Sequence, residues 1–232
     1  MATRLLTLVC CAVLFIGATP HHSRHSPLQT LTAQAIEQAR WTQGQKNNPA
    51  LIVKAEVLLE RTGFSLGVID GDNGDNFRKA LAAFQRQHGF NATGALDPDT
   101  FDALAATSED PVIGHYEITG ADIEGPFTAK IPADFEATAK LPRLDYPSPR
   151  DKLADRFHMA ESLLATLNPG VDFTRAGIRI VVADVPQKPR HVKVTKIVID
   201  KPARSPSAFD ADGNLVGFYP ASIGSAENRT EW

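Results

Sequence analysis

The chain of 232 residues is 43% hydrophobic and 22% charged, which is typical of globular proteins and excludes a disordered or fibrous chain. The length suits one large domain or two to three small ones, and the scattered 16 Gly and 16 Pro favour short units joined by turns. A formal net charge of -3 gives no long-range attraction to nucleic acid or to an anionic membrane, so nucleic acid is not expected as a partner.

The first 18 residues are predicted to be a secretory signal peptide. Arg4 supplies the positive charge, Leu5 to Ile16 form an apolar run, and Gly17 and Ala18 are small residues before the expected cleavage. The run is too short to span a bilayer as a mature helix. We therefore expect export to the periplasm or cell wall without stable membrane insertion, with an uncleaved anchor as the alternative.

The cysteines also bear on export. Cys10 and Cys11 both lie inside the apolar run and not after it, which argues against a lipoprotein site. Cleavage would leave a mature chain without cysteine, which excludes disulfides, thiolate metal sites and cysteine catalysis.

Residues 19–48 are predicted to be a polar linker. Its clustered histidines, His21, His22 and His25, have no carboxylate at a fixed ligand spacing, so no metal or cofactor is expected. Thr30 to Trp41 are predicted to form one isolated helix.

Residues 49–108 are predicted to form a small three-helix bundle. Apolar residues at helical spacing predict a first helix that ends at Gly63. Asp75 is expected to cap a second helix, which Gly89 ends. Asp97, followed by a proline, is expected to cap the third.

The order of glycines, acids and aromatics in this block carries a family resemblance. The residues concerned are Gly63, Phe64, Ile69, Asp70, Gly71, Gly74, Ala80, Leu81, Phe84, Gln85, Gly89, Gly94, Asp97 and Thr100. This pattern resembles the peptidoglycan-binding domain of many bacterial wall hydrolases and transpeptidases, although Asn76 stands where that family usually has Thr. The resemblance implies binding of glycan or stem peptide, and no chemistry.

Polar residues on the turns are the candidate peptidoglycan-binding residues. They are Asp70, Asn73 and Gln85, each of which also suits a cap or a turn former. The spacing of Asp70, Asp72 and Asp75 does not fit a calcium-binding EF-hand, because the required Gly and Glu are absent from the sixth and twelfth positions.

Residues 109–142 are predicted to be an extended connector, because their prolines disfavour helix interiors. Within it, a strand is predicted over His115 to Ile118. Residues 151–170 are expected to be helical up to Asn168-Pro169-Gly170, and Ile178 to Val182 to form a strand.

Residues 143–185 resemble a LysM-type module. The resemblance rests on Ala154 to Met159, Leu163-Leu164, Leu167 to Gly170 and Ala176 to Val182. It implies a βααβ segment with two helices against a two-stranded sheet, and binding of glycan that contains N-acetylglucosamine. His158 is interpreted as a helix-surface residue.

Residues 191–232 change to β-branched residues with a period of two. Strands are predicted over Val192 to Ile199, Ser207 to Phe209 and Leu215 to Ser222, with a hairpin turn at Asp212-Gly213. Together with Thr195 to Lys201, Ala208 to Gly213 and Tyr219 to Ser225, they resemble the opening strands of an L,D-transpeptidase (YkuD-type) catalytic domain.

That family's nucleophile is a cysteine in a Ser-x-Gly-Cys motif with a histidine base, and this sequence has neither segment. No catalytic residue can therefore be assigned, and the chain alone is predicted to be inactive. Three strands with apolar residues on both faces cannot bury themselves. A truncated or frameshifted reading frame is the expected explanation, with a partner chain that completes the sheet as the alternative.

The sequence thus predicts an α+β multidomain protein: a three-helix peptidoglycan-binding bundle, a LysM-like βααβ segment and the opening strands of an incomplete β-rich catalytic domain. The predicted function is that of an exported peptidoglycan-binding protein that resembles the N-terminal part of an L,D-transpeptidase. A non-enzymatic wall-binding adaptor and a targeting subunit of a wall hydrolase are the alternatives.

Overall fold

The structure, a computed structural model, describes residues 31–45, 47–187 and 191–222. The expected signal peptide, the histidine cluster and residues 223–232 lie outside the described residues. The helices are α1 Ala33–Gln38, α2 Pro49–Thr62, α3 Asp75–Gln87, α4 Pro98–Ala105, α5 Gly120–Ile123, α6 Phe135–Ala139, α7 Pro149–Arg156 and α8 Glu161–Leu167. The strands are β1 Ile113–Glu117, β2 Arg179–Ala183, β3 Lys196–Asp200, β4 Ser205–Phe209 and β5 Leu215–Phe218.

Helices α2, α3 and α4 form the bundle, and local signals fix their ends. The C-cap Gly63 has a φ of 88°, in the left-handed region that glycine favours. The side chain of Asp97 accepts a hydrogen bond from the Thr100 amide, as expected of an N-cap. Asp75 instead occupies the first turn of α3, and Gly74 is the cap residue. The core contains the fully buried Leu51, Ile52, Leu58, Leu59, Phe77, Leu81, Phe84, Phe101 and Leu104.

The helix predicted within Thr30 to Trp41 is confirmed as α1, but the prediction that it is isolated is wrong. Helix α1 is short and packs on α2, with Ile36 completely buried in the common core. Lys54 Nζ donates to the Glu37 carbonyl at 2.7 Å, and Trp41 Nε1 donates to the Leu96 carbonyl at 3.1 Å. The later part of the expected linker is therefore folded against the bundle.

Strands β1 and β2 pair antiparallel, with Ile113 opposite Ala183 and Glu117 opposite Arg179. The stretch 109–142 is therefore not wholly extended, because β1, α5 and α6 lie within it. Its prolines all fall outside the helices, and Pro149 occupies the first turn of α7, where a missing N–H costs nothing.

The helical stretch expected over 151–170 is divided into α7 and α8. The chain leaves α7 at Phe157, and His158 has a φ of 54°, which ends the helical geometry. His158 therefore lies beyond the helix and not on its surface. Helix α8 ends at the buried Asn168, which donates to the Leu164 and Val181 carbonyls at 2.8 Å and accepts from the Val181 amide at 2.7 Å. This amide attaches the end of the helix to β2.

Strands β3, β4 and β5 form an antiparallel sheet in that order. Strands β3 and β5 are shorter than the sequence predicts, since Val192 and Val194 precede β3 and β5 ends at Phe218. Strand β4 is longer, because it begins at Ser205 and not at Ser207. One face of the sheet packs on the bundle through Phe218, which is 5% exposed. All five residues of β3, by contrast, are exposed.

No helix in the described ranges combines the length and apolar character that a bilayer span requires, and α2, the longest of them, has 14 residues.

Candidate ligand-binding site

We call β1, β2, α7 and α8 the βααβ unit. The loop of residues 63–72, which follows α2, lies between this unit and the three-stranded sheet. On one side the Ser65 amide donates to the Phe218 carbonyl at 2.8 Å, and the Phe218 amide donates to the Gly63 carbonyl at 3.0 Å. On the other side the Ile69 amide donates to the His158 carbonyl at 2.7 Å, and the Ala160 amide donates to the Ile69 carbonyl at 2.8 Å. Both contacts are parallel β-bridges, so the loop has little freedom to move.

Glu56 lies beneath this loop and is completely buried. Its Oε2 accepts a hydrogen bond from the Gly71 amide at 2.9 Å. Burial raises the pKa of Glu56 well above the ordinary value of 4.5, and the neighbouring Asp70 carboxylate raises it further. Glu56 Oε1 meets no donor among the described residues. We infer that Glu56 is protonated at Oε1 and shares this proton with the neighbouring Asp70 side chain.

A second carboxyl group of α2 faces the βααβ unit. Glu60 Oε1 accepts from the Ser65 hydroxyl at 2.7 Å and from the Leu66 amide at 3.1 Å, and Oε2 lies 3.3 Å from His158 Nδ1. Burial alone would raise the pKa of Glu60, but the hydrogen bonds from His158 and Ser65 outweigh it and lower the pKa. The hydrogen bond to Glu60 in turn raises the pKa of His158. The two groups form an ion pair between α2 and the second unit.

A surface cavity of about 290 Å³ opens beside the loop and the start of α3. We call it the acidic cavity, because its charged lining residues are Glu56, Asp70, Asp72 and Asp75. Its apolar part includes Val68, which is 49% exposed at the rim. No group of three or more His, Cys, Asp or Glu side chains within the described ranges is arranged to hold a metal ion. The carboxylates that line the acidic cavity suit hydroxyl, amide or ammonium donors.

A second cavity of about 390 Å³ adjoins the first and shares Asp75 and Asn76 with it. We call it the basic cavity, because Lys79 of α3 and Arg204 of the β3–β4 turn line it. Its far wall is formed by residues 220–222 of the chain after β5. The bundle and the three-stranded sheet thus form one surface trough with an acidic end and a basic end.

The three predicted site residues do not meet in one place. Asp70 lines the acidic cavity, where it also accepts from the Asp72 amide at 2.8 Å. Asn73 lies on the adjoining turn, and its Nδ2 donates to Asn47 Oδ1 at 3.0 Å. Gln85 is fully buried within the bundle. A binding role for these residues stays a prediction.

Gln85 has a clear structural role. Its Nε2 donates to the Ala95 carbonyl and to the Thr100 hydroxyl, both at 2.9 Å, and its Oε1 accepts from the Gly94 amide at 2.8 Å. The turn requires glycine at 94, because φ is +66° and a Cβ there would lie 2.7 Å from the Arg78 carbonyl oxygen. Gln85 therefore holds the α3–α4 turn, with its amide oxygen and nitrogen both hydrogen-bonded.

Sequence reasoning missed Glu56, Lys79 and Arg204. An acidic residue on the apolar face of an amphipathic helix was the available signal for Glu56, since a carboxyl group there must find a partner. Nothing local could bring Arg204 beside Lys79, because 125 positions along the chain separate them.

The comparison with known families agrees with this geometry. The model of the family PG_binding_1, a peptidoglycan binding domain, matches residues 49–104. These residues are a peptidoglycan-binding domain. The matched region includes α2, α3, the loop of residues 63–72, the α3–α4 turn and all of α4 except its last residue. No curated protein matches the chain.

The match to a peptidoglycan-binding domain supports peptidoglycan as a partner of this chain and an association with the cell wall. The acidic cavity lies within the peptidoglycan-binding domain, whereas the basic cavity is completed from outside it by Arg204 and residues 220–222.

Proposed function

We propose that this is an exported protein that binds the peptidoglycan of the bacterial wall through the trough at the start of α3. The observation that carries the proposal is the pair of adjoining cavities of opposite charge on the peptidoglycan-binding domain. The signal-like residues 1–18 support export, since peptidoglycan lies outside the cytoplasm.

The chemistry of the trough suits a stem peptide. Short wall peptides carry free ammonium groups and terminal carboxylates, and the glycan adds hydroxyl and amide groups. An ammonium group is attracted to Asp72 and Asp75 in the acidic cavity. A carboxylate is attracted to Lys79 and Arg204 in the basic cavity, where guanidinium can donate two parallel hydrogen bonds.

The test is sedimentation of the full chain with purified sacculi. Asp72 is exposed and lines the acidic cavity, so Asp72→Lys should preserve the fold and reverse the local charge. We expect this variant to bind sacculi about tenfold more weakly, which corresponds to about 1.4 kcal/mol. Asp102→Lys is the matched control, because Asp102 is an exposed aspartate of α4 on a different surface of the same bundle.

Two results would contradict the proposal in different ways. Failure of the unaltered chain to sediment with sacculi would remove wall binding itself. Equal binding by Asp72→Lys and Asp102→Lys would leave wall binding intact but exclude the trough as its site.

We further propose that the β1–α7–α8–β2 unit is a LysM-like second wall-binding module. Its support is the antiparallel pairing of β1 with β2, the helices α7 and α8 that precede β2, and the Asn168 side chain that joins the end of α8 to β2. The short helices α5 and α6 also lie between the two strands in the chain. Soluble oligomers of N-acetylglucosamine, which carry no peptide, test this separately by calorimetric titration of the full chain. We expect saturable binding that Asp72→Lys leaves unchanged. No binding, or binding that Asp72→Lys abolishes, would exclude the second module.

We propose no chemistry for the three-stranded sheet, although it resembles the opening of an L,D-transpeptidase domain. The cysteines of the sequence are Cys10 and Cys11, both in the signal-like segment. The chain then acts as a wall-binding adaptor or as the targeting part of a wall enzyme. Incubation with muropeptides should give no new 3-3 cross-links, and their formation would show that this chain is catalytic.

A further inference from the structure

Strand β3 presents an open edge and an exposed apolar face. Among the described residues it pairs with β4 on one side and with no strand on the other. Ile197, Val198 and Ile199 are 66%, 39% and 49% exposed. An uncovered edge of this kind is a template for pairing with another strand.

Hydrogen bonds elsewhere in the sheet show which backbone groups of β3 face the open edge. The Tyr219 amide donates to the Pro206 carbonyl, so the backbone of Pro206 points toward β5. Backbone direction alternates along a strand, so Ser205 and Ser207 point toward β3. Val198 lies opposite Ser207 and uses its N–H and C=O on β4. The N–H and C=O groups of Ile197 and Ile199 therefore point to the open edge.

The sequence of β3 is complementary to itself in the antiparallel direction. It reads Lys-Ile-Val-Ile-Asp from Lys196 to Asp200. With a two-fold axis at Val198, Ile197 of one copy lies opposite Ile199 of the other, and Lys196 lies opposite Asp200. Ile197 and Ile199, whose N–H and C=O groups point to the open edge, then form the hydrogen-bonded pairs between the two copies.

The charges distinguish this register from its neighbours. Lys196 and Asp200 form no ion pair within the described residues, and Lys196 Nζ lies 5.9 Å from the centre of the Phe209 ring. In the register centred on Val198 both form cross-strand pairs, at a non-hydrogen-bonded position where side chains are closest. A shift by two residues would place Lys196 or Asp200 opposite Val198 instead. A shift by one residue would place Ile197 of one copy opposite Val198 of the other, whose N–H and C=O groups already bond to β4, so the hydrogen bonds between the copies could not form.

We propose that β3 pairs with β3 of a second copy of this chain, so that the two three-stranded sheets join into one six-stranded antiparallel sheet. Two-fold pairing uses one surface for both copies and leaves no further edge at this position. Four hydrogen bonds join Ile197 and Ile199 across the axis, flanked by two Lys196–Asp200 ion pairs. A contact of one five-residue strand from each copy is smaller than the interface of a permanent dimer. The fraction of the protein that is dimeric should therefore rise with protein concentration.

Disulfide trapping tests the register directly in the full chain, with Cys10 and Cys11 changed to Ser. The two copies of residue 198 face each other at a Cα separation of about 4.5 Å, which lies within the range for a disulfide. Val198→Cys should therefore form a covalent dimer under mild oxidation. Ile197→Cys is the matched control, because its partner in this register is Ile199 and not itself. Equal cross-linking of the two variants, or none in Val198→Cys, would overturn the proposal.

Charge exchange provides a second readout that does not depend on cysteine. Lys196→Asp alone places Asp opposite Asp at both ends of the contact, so the molar mass at high concentration should fall to that of one chain. Adding Asp200→Lys to the same chain restores both ion pairs and should restore the dimer. A double variant as monomeric as Lys196→Asp, or an unaltered chain that stays monomeric at every concentration, would show that something other than a second copy covers β3.

Discussion

The carboxyl group of Glu56 is buried between α2 and the loop of residues 63–72, where it accepts a hydrogen bond from the Gly71 amide and lies beside the Asp70 side chain. A fully buried carboxylate beside a second carboxylate is unfavourable, and one shared proton removes the repulsion. The acidic cavity is therefore less negative than its four acidic residues suggest. Its accessible charge lies on Asp72 and Asp75, toward the opening.

The raised pKa of Glu56 makes the stability of the bundle depend on pH. The folded state holds a proton on Glu56 that the unfolded state releases above pH 4.5. The contribution of Glu56 to stability is therefore greatest below that value and falls as pH rises toward the folded pKa. Each pH unit in that window costs about 1.4 kcal/mol. Glu56→Gln keeps an N–H donor for Asp70 and an acceptor for Gly71, so it should stabilise the protein at pH 7 and remove this slope. Urea unfolding from pH 4 to pH 8 measures both effects.

Glu56→Ala is the control, because it creates a cavity and should destabilise the protein at every pH. If Glu56→Gln were less stable than the unaltered chain at pH 7, Glu56 would be ionised in the folded state and the shared proton would be excluded.

Gln85 gives a second prediction at the scale of one residue. Gln85→Leu preserves much of the buried volume but leaves the Gly94 amide and the Ala95 carbonyl without their partner. Unsatisfied buried groups cost about 1–3 kcal/mol each, so thermal unfolding should occur at a distinctly lower temperature. Gln87→Leu is the comparison on the exposed side of the same helix, although it removes the 3.0 Å contact to the Leu215 amide. Equal losses in the two variants would argue against the structural role of Gln85.

Between elements, the Glu60–His158 pair connects α2 to the chain between α7 and α8. The raised pKa of His158 means that its contribution is complete below pH 6.5 and is lost as pH rises through the folded value. The lowered pKa of Glu60 means that its contribution is present above pH 4.5 and is lost as pH falls through the folded value. His158 is partly exposed, so solvent screening keeps the pair below about 1 kcal/mol.

This contact predicts a local change with pH. The amides of Ile69 and Ala160, which join the two units, should lose protection from hydrogen exchange between pH 6 and pH 8.5, after correction for the intrinsic rate. His158→Asn is the control, because Asn tolerates the positive φ at this position and carries no charge. In this variant the Ile69 and Ala160 amides should be less protected at pH 6 than in the unaltered chain, and their protection should not change with pH. A pH-dependent loss of the same size in His158→Asn would exclude the ion pair as the cause.

The elements that the sequence predicts well are those with local signals. Gly63 and Asp97 end or begin helices through their own backbone and side-chain geometry, so the bundle follows from a short stretch of sequence. The position of α1 depends on Ile36, whose burial requires a surface formed by α2. Strand β1 depends on pairing with β2, which lies more than 60 positions away. Long-range contacts of this kind leave no local sequence pattern. The trough could not be predicted for the same reason, because it depends on the long-range placement of Arg204 beside Lys79.

At the scale of the whole molecule, Arg61 is a main connection between the bundle and the βααβ unit. It makes more hydrogen bonds between them than the Glu60–His158 pair does. Its guanidinium donates to the Asp184 side chain and carbonyl at 2.8 Å, and to the Ser108 hydroxyl and Asp110 carbonyl at 3.1 Å. Its side chain is only 13% exposed. A lysine ammonium group at this position carries its donors on one nitrogen atom, so it cannot donate to all of these acceptors at the same time as the planar guanidinium does.

Arg61→Lys should therefore weaken the attachment of the βααβ unit while leaving the bundle core unchanged. We expect a loss of about 1–3 kcal/mol and a separation of the urea transition into two steps, because the units then unfold with less coupling. Arg143→Lys is the matched control, since Arg143 is 64% exposed in its ion pair with Asp145 and should change stability little. A single transition with the midpoint of the unaltered chain would mean that the bridge between Ile69 and Met159 suffices to hold the two units together.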